Sequence, residues 1–148
     1  MKLNKKGFTL VEIMIVVAII ALLAAVAIPN LLRARLNANE GAAIGNMHTV
    51  VTAMGSFQAN QSPPSYPATL AALGTATPPY IDSVLSGGTK QGYTFAYTAG
   101  TADSRGAVND YTVVAAPQVP GKTGNRSFFA DESGVIRVGT TVAGTPIE

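Results

Sequence analysis

Lys5-Lys6-Gly7-Phe8-Thr9-Leu10-Val11-Glu12, running into an apolar stretch from Ile13 to Pro29, decides how the rest of the chain is read. Those seventeen apolar residues carry no charged or strongly polar side chain. Phe8 to Val11 and Asn30-Leu31-Leu32 extend the run. A hydrocarbon core of about 30 Å needs roughly 20 such residues in a helix, so residues 8–32 read as a membrane-spanning helix. Lys2, Lys5 and Lys6 precede it and hold the N-terminus on the cytoplasmic side.

Glu12 is the anomaly. A carboxylate in an apolar helix costs about 2.5–3.5 kcal/mol near the bilayer centre and less near its edge, so its partner has to be identified. No Lys or Arg lies within helical reach on the apolar side. Cutting the Gly7–Phe8 bond would create a cation, the Phe8 ammonium, which could pair with Glu12 of its own or of a neighbouring chain. The same cut removes three lysines and takes the formal charge from +2 to −1.

The stretch Lys6-Gly7-Phe8-Thr9-Leu10-Val11-Glu12, followed by Ile13 to Pro29-Asn30-Leu31, closely resembles the leader and N-terminal helix of type IV pilins and of type II secretion pseudopilins. The resemblance covers about Lys5 to Arg35. It implies cleavage between Gly7 and Phe8 by a prepilin peptidase on the cytoplasmic face, and methylation of the Phe8 amine. It further implies insertion into the inner membrane, handling by an assembly platform with ATPase-driven machinery, and polymerisation into a helical homo-oligomer. Glu12, with Thr9 beside it, is the expected register key of that assembly. The implied product is an extracellular pilus, or a periplasmic pseudopilus in the alternative reading. A secretory signal peptide would place its cut after the apolar run. A plain membrane anchor, or a monomeric membrane-anchored binding module, gives Glu12 and Gly-Phe no role.

Charged residues make up only 12% of the chain, about half the usual share for a globular domain. A weakly charged surface of small residues suits dense packing against copies of itself. Near-zero charge after the cut gives no footprint for nucleic acid. There is no cysteine, so no disulfide can staple the C-terminal region. Many type IV pilins carry such a bridge, and this chain departs from that pattern.

The predicted fold class is α+β. A leader (1–7) precedes the membrane or filament-core helix (8–32), whose amphipathic continuation (33–60) packs against a head (61–148) carrying about four antiparallel strands. Pro29 removes the bond to the Ala25 carbonyl and favours a kink; the resemblance makes Ala24 to Pro29 the compliant segment. Leu36, Ile44, Met47, Val51 and Met54 recur near helical spacing. Asn37, Asn39, Glu40, Asn46, Thr49 and Ser56 are assigned to the opposite, polar face. Ser62-Pro63-Pro64-Ser65-Tyr66-Pro67 ends the helix, and Ala68 to Leu73 reads as a short helical turn closed by Gly74. Strands are expected at Tyr93–Thr98, Tyr111–Ala116, Ser127–Ala130 and Val135–Val138, with the tail from Gly139 lying over the surface.

Catalytic, cofactor and metal residues are not expected. His48 is the sole histidine, which leaves no base for a Ser-His-Asp set. Gly121-Lys122-Thr123-Gly124 lacks the upstream glycine and the following helix of a phosphate loop. Asp103, Asp110, Asp131 and Glu132 do not have the spacing of a calcium loop. The clustered acids usual in major pseudopilins are therefore missing.

Overall fold

The computed structural model describes residues 7–147; Lys2, Lys5 and Lys6, assigned to the expected leader, lie outside the described residues. The fold is α+β, with one long helix and an antiparallel sheet. Helix α1 spans Leu10–Ala59. Its apolar half belongs to one compact unit ending at Ala34, and a second unit begins at Arg35.

In the first unit the aliphatic side chains are exposed almost throughout; Phe8 is 85% exposed. This is the one described helix long and apolar enough to cross a membrane, with a mean hydropathy of 3.0 over eighteen residues. The helix continues through Pro29. Asn30 Nδ2 donates to the Val26 carbonyl at 3.1 Å, one turn back.

The second unit contains the rest of α1, α2 (Ala71–Thr75), α3 (Ser83–Ser86) and six strands. These are β1 (Thr89–Lys90), β2 (Tyr93–Ala99), β3 (Tyr111–Pro117), β4 (Phe128–Asp131), β5 (Arg137–Val138) and β6 (Thr145–Pro146). The sheet is an antiparallel meander in chain order, β1 through β6. Six strands replace the expected four. The two additions are two-residue edge strands, too short to show any periodicity. β1 turns into β2 through Gln91 and Gly92, at φ 49° and 78°, a tight hairpin turn that a Gln-Gly pair advertises weakly. The tail does not simply lie over the surface. It turns at Gly139 (φ 130°), returns as β6, and lets the Ile147 amide donate to the Ile136 carbonyl at 2.8 Å.

Met47, Val50 and Met54 of α1 are fully buried with Tyr93, Phe95, Val113, Ala115 and Phe128 of the sheet. Side chains on β2 and β3 alternate between this core and the outer face, as strand geometry requires. Two residues assigned to the polar face, Glu40 and Asn46, are instead buried, at 4% and 9% exposure. Composition alone placed them outside; their partners lie in distant loops. α2 ends at Thr75, so Gly74 lies within it instead of closing it. The 82–86 segment, absent from the expected elements, is capped by Asp82, whose Oδ1 accepts from the Val84 and Leu85 amides at 3.0 Å.

Candidate assembly site at the helix N-terminus

Gly7 and Phe8 precede the helix in non-helical, exposed backbone. Thr9 is the N-cap. Its carbonyl accepts from the Ile13 amide at 3.4 Å, and the first helical residue is Leu10. The Glu12 amide donates to Thr9 Oγ1 at 3.2 Å, while the Thr9 amide and hydroxyl donate to Glu12 Oε2 at 2.8 and 2.7 Å. This is a capping box, in which the cap and the third helical residue satisfy each other's orphan amides. A carboxylate in the first turn also meets the positive end of the helix dipole.

The structure thus brings Thr9 and Glu12 together and supplies Glu12 with neutral donors. The local signal for this arrangement is Thr-x-x-Glu ahead of an apolar run, which needs no cation. Both Thr9 bonds fall on Oε2, and Oε1 accepts none among the described residues. Pro29 lies far along the same helix and shares nothing with this site.

A second carboxylate cluster lies in the unit that begins at Arg35. The Glu40 carboxylate accepts from the Asn125 and Arg126 amides at 2.9 and 3.2 Å and from Arg126 Nε at 2.7 Å. Asn39 Nδ2 donates to the Thr123 carbonyl at 2.9 Å beside it. Burial raises the Glu40 carboxyl pKa, but the Asn125 amide and the Arg126 guanidinium and amide outweigh that and hold it below its ordinary value. Tyr93 lies under the same loop, its hydroxyl donating to the Arg126 carbonyl at 2.8 Å, and Gly124 leaves no room for a Cβ against that ring. Burial, with the Glu40 charge adding and Arg126 opposing, pushes the Tyr93 phenol up to about 12. This latch fixes the 119–126 loop to α1. No local sequence signal announces it, because partners 85 and 86 residues apart meet only after folding.

Among the described residues no group of three or more His, Cys, Asp or Glu could hold a metal ion. His48 is exposed on α1, and Lys122 is exposed in the 119–126 loop with no helix after it.

Residues 2–28 match the prokaryotic N-terminal methylation motif. The chain is 34% identical over 148 residues to the type IV wide pilus major component PilA4 of Thermus thermophilus, a match spanning 98% of this chain and 96% of that protein. The chain belongs to the type IV pilin family. This pilin is also 46% identical over 54 residues to the type IV major pilin protein PilA of Myxococcus xanthus, across 36% of this chain and 24% of that protein. No solved structure gives a significant match. The methylation motif of the pilin contains Gly7, Phe8, Thr9 and Glu12, so the capping box lies inside the matched segment.

Proposed function

We propose that this pilin is a structural subunit of a type IV pilus, without enzymatic activity, and that its leader 1–7 is removed between Gly7 and Phe8. The observation that carries this reading is the whole-length match to a wide pilus major component. It also favours a pilus over a secretion pseudopilus. The helix 8–32 holds the subunit in the inner membrane and then packs into the filament core, with Ala24–Pro29 as its compliant part; segment 33–60 carries the head 61–148. A prepilin peptidase cuts the Gly7–Phe8 bond and methylates the Phe8 amine. An assembly platform driven by an ATPase extracts the subunit from lipid.

Glu12 and Thr9 form the register site. The exposed, non-helical Gly7–Phe8 segment suits a peptidase that needs extended backbone, and the capping box starts the helix just beyond it. Glu12 Oε2 stays with Thr9 while Oε1 receives the Phe8 ammonium of another copy. A subunit without that ammonium leaves the charge in an apolar core with only Thr9 as partner, and a lone buried charge is strongly unfavourable.

Intact mass spectrometry tests the proposal on sheared cell-surface material, outer envelope and inner membrane. The expected species in the sheared fraction begins at N-methylated Phe8. The same mass confined to the envelope would point to a periplasmic pseudopilus. A chain beginning after Ala27, or one still carrying residues 1–7 in the filament, would refute the processing scheme.

A further inference from the structure

In the unit that begins at Arg35, the charges left outside ion pairs segregate by sign. Three ion pairs are internal to it: Lys90 with Asp82, Arg105 with Asp103, and Arg126 with Glu40. Among the described residues of this unit, Arg35, Lys122 and Arg137 remain outside any ion pair, as do Asp110, Glu132 and Asp131, the last buried and accepting from the Ser133 amide. The register of the sheet and the Glu40 latch place Asp110, Glu132 and Lys122; Arg137 lies within the sheet, opposite Phe129.

β3 and β4 run antiparallel, with Thr112 opposite Asp131 and Ala115 opposite Phe128. Asp110, Asp131 and Glu132 therefore gather at one end of the strands. Arg126 lies at the other, where Glu40 and Asn39 hold the 123–126 backbone. Arg35 precedes Asn39 by one helical turn on the same face of α1, and so belongs to the Arg126 end. At the acidic end, a Cβ on Gly134 would stand 3.7 Å from Val51, which places that turn roughly 16 Å along α1 from Glu40 at 1.5 Å per residue. The acidic end also holds a cleft of about 110 Å³ lined by Ala99, Gly100, Asp110, Tyr111 and Glu132. At the basic end Lys122 is exposed, and Arg126 engages Glu40 through Nε alone and remains 54% exposed.

We infer that the Asp110–Glu132 cleft of one head receives the Lys122–Arg126 end of a second copy of this chain. The described charged side chains of the head balance in number, so the complementarity is between ends and not between whole heads. Such a contact is heterologous: each copy offers one end and receives the other, so it propagates instead of closing at a dimer. The inference rests on the pilin reading and adds the head surface that would pair outside the helical core.

Charge reversal in the full-length chain tests it, with sheared-filament yield as the readout. Glu132→Lys and Lys122→Glu should each lower the yield about tenfold, since like charges at an interface are costly. Glu132→Lys combined with Lys122→Glu should restore it. Thermal melting of the detergent-solubilised chains separates misfolding from lost contact. The protein has no cysteine, so Glu132→Cys with Lys122→Cys provides a background-free second test. A short bis-maleimide should give a ladder of dimers, trimers and higher species from filaments. Wild-type yield in both single reversals, failure of the double reversal to recover with melting unchanged, or cross-linking that is absent or stops at dimer would overturn the contact while leaving the pilin reading intact. Absence of any filament from the unaltered chain would overturn the pilin reading, and this contact with it.

Discussion

Glu12 and Glu40 are two carboxylates on one helix, and their surroundings differ. Glu12 is exposed in an apolar stretch and is held only by Thr9, three residues away. Glu40 is 4% exposed and is held by three donors from a distant loop. All the described donors to Glu40 depend on the folded head, whereas the Thr9 donors to Glu12 exist as soon as one helical turn forms. A carboxylate satisfied from within the fold contributes to stability. One held by a single local partner, with an oxygen left open, is available to another molecule. The contrast is structural: Glu40 is held by its own folded unit, whereas Glu12 keeps an oxygen without a partner among the described residues, as the proposed register role requires.

The most severe break in this comparison is Glu12→Ala. On the proposed pairing of Glu12 with the Phe8 ammonium, filament yield should fall by more than tenfold. Membrane insertion and the cut at Gly7 should persist, and the melting temperature of the head should be unchanged. Immunoblots of sheared and membrane fractions, with a melting curve, check all three. Normal filament yield would remove Glu12 from the mechanism.

Glu40→Ala should act in the opposite way. It removes charge-assisted bonds and leaves the Asn125 and Arg126 amides without their acceptor, a loss of about 2–3 kcal/mol. The head should then melt several degrees lower. The same latch should respond to acid. The folded Glu40 carboxyl lies below its ordinary value of 4.5, so the unfolded chain binds the proton first as pH falls. Its contribution is therefore full above about pH 4.5 and is lost as pH falls through the folded value. A melting series downward from pH 5 should show a steeper loss for the wild type than for Glu40→Ala; parallel curves would mean that the latch is not the titrating element.

The smallest effect belongs to Thr9→Val, which keeps the shape but removes the hydroxyl. Loss of a cap is worth about 1 kcal/mol. Filament yield should fall less than with Glu12→Ala, and Thr9→Ser should restore it. If Thr9→Val were as damaging as Glu12→Ala, Thr9 would have a role beyond holding the carboxylate.

Different parts of this molecule were legible to different degrees. The apolar helix, its leader signature and the strands Tyr93–Thr98 and Tyr111–Ala116 could be read directly, because periodicity and composition are local properties. The capping box is equally local, Thr9 to Glu12, and is carried by the Thr-x-x-Glu spacing. β1 and β6 are too short for any pattern. Asn46 looked like a surface amide, yet its Nδ2 donates to Gln91 Oε1 at 3.1 Å at the β1–β2 turn.

The sequence by itself determined that a long helix begins just after Gly7-Phe8, that its first half is apolar throughout, and that a sheet must cover the Met47–Met54 face. Helix hydrogen bonds and side-chain spacing act over a few residues, so those facts are written where they occur. Tertiary structure alone decided that Glu40 would be buried, that the tail would return as a sixth strand, and that Asp110 and Glu132 would lie at the other end of the sheet from Lys122. Each of these depends on residues far apart in the chain meeting at one place, and no short stretch of sequence carries that information.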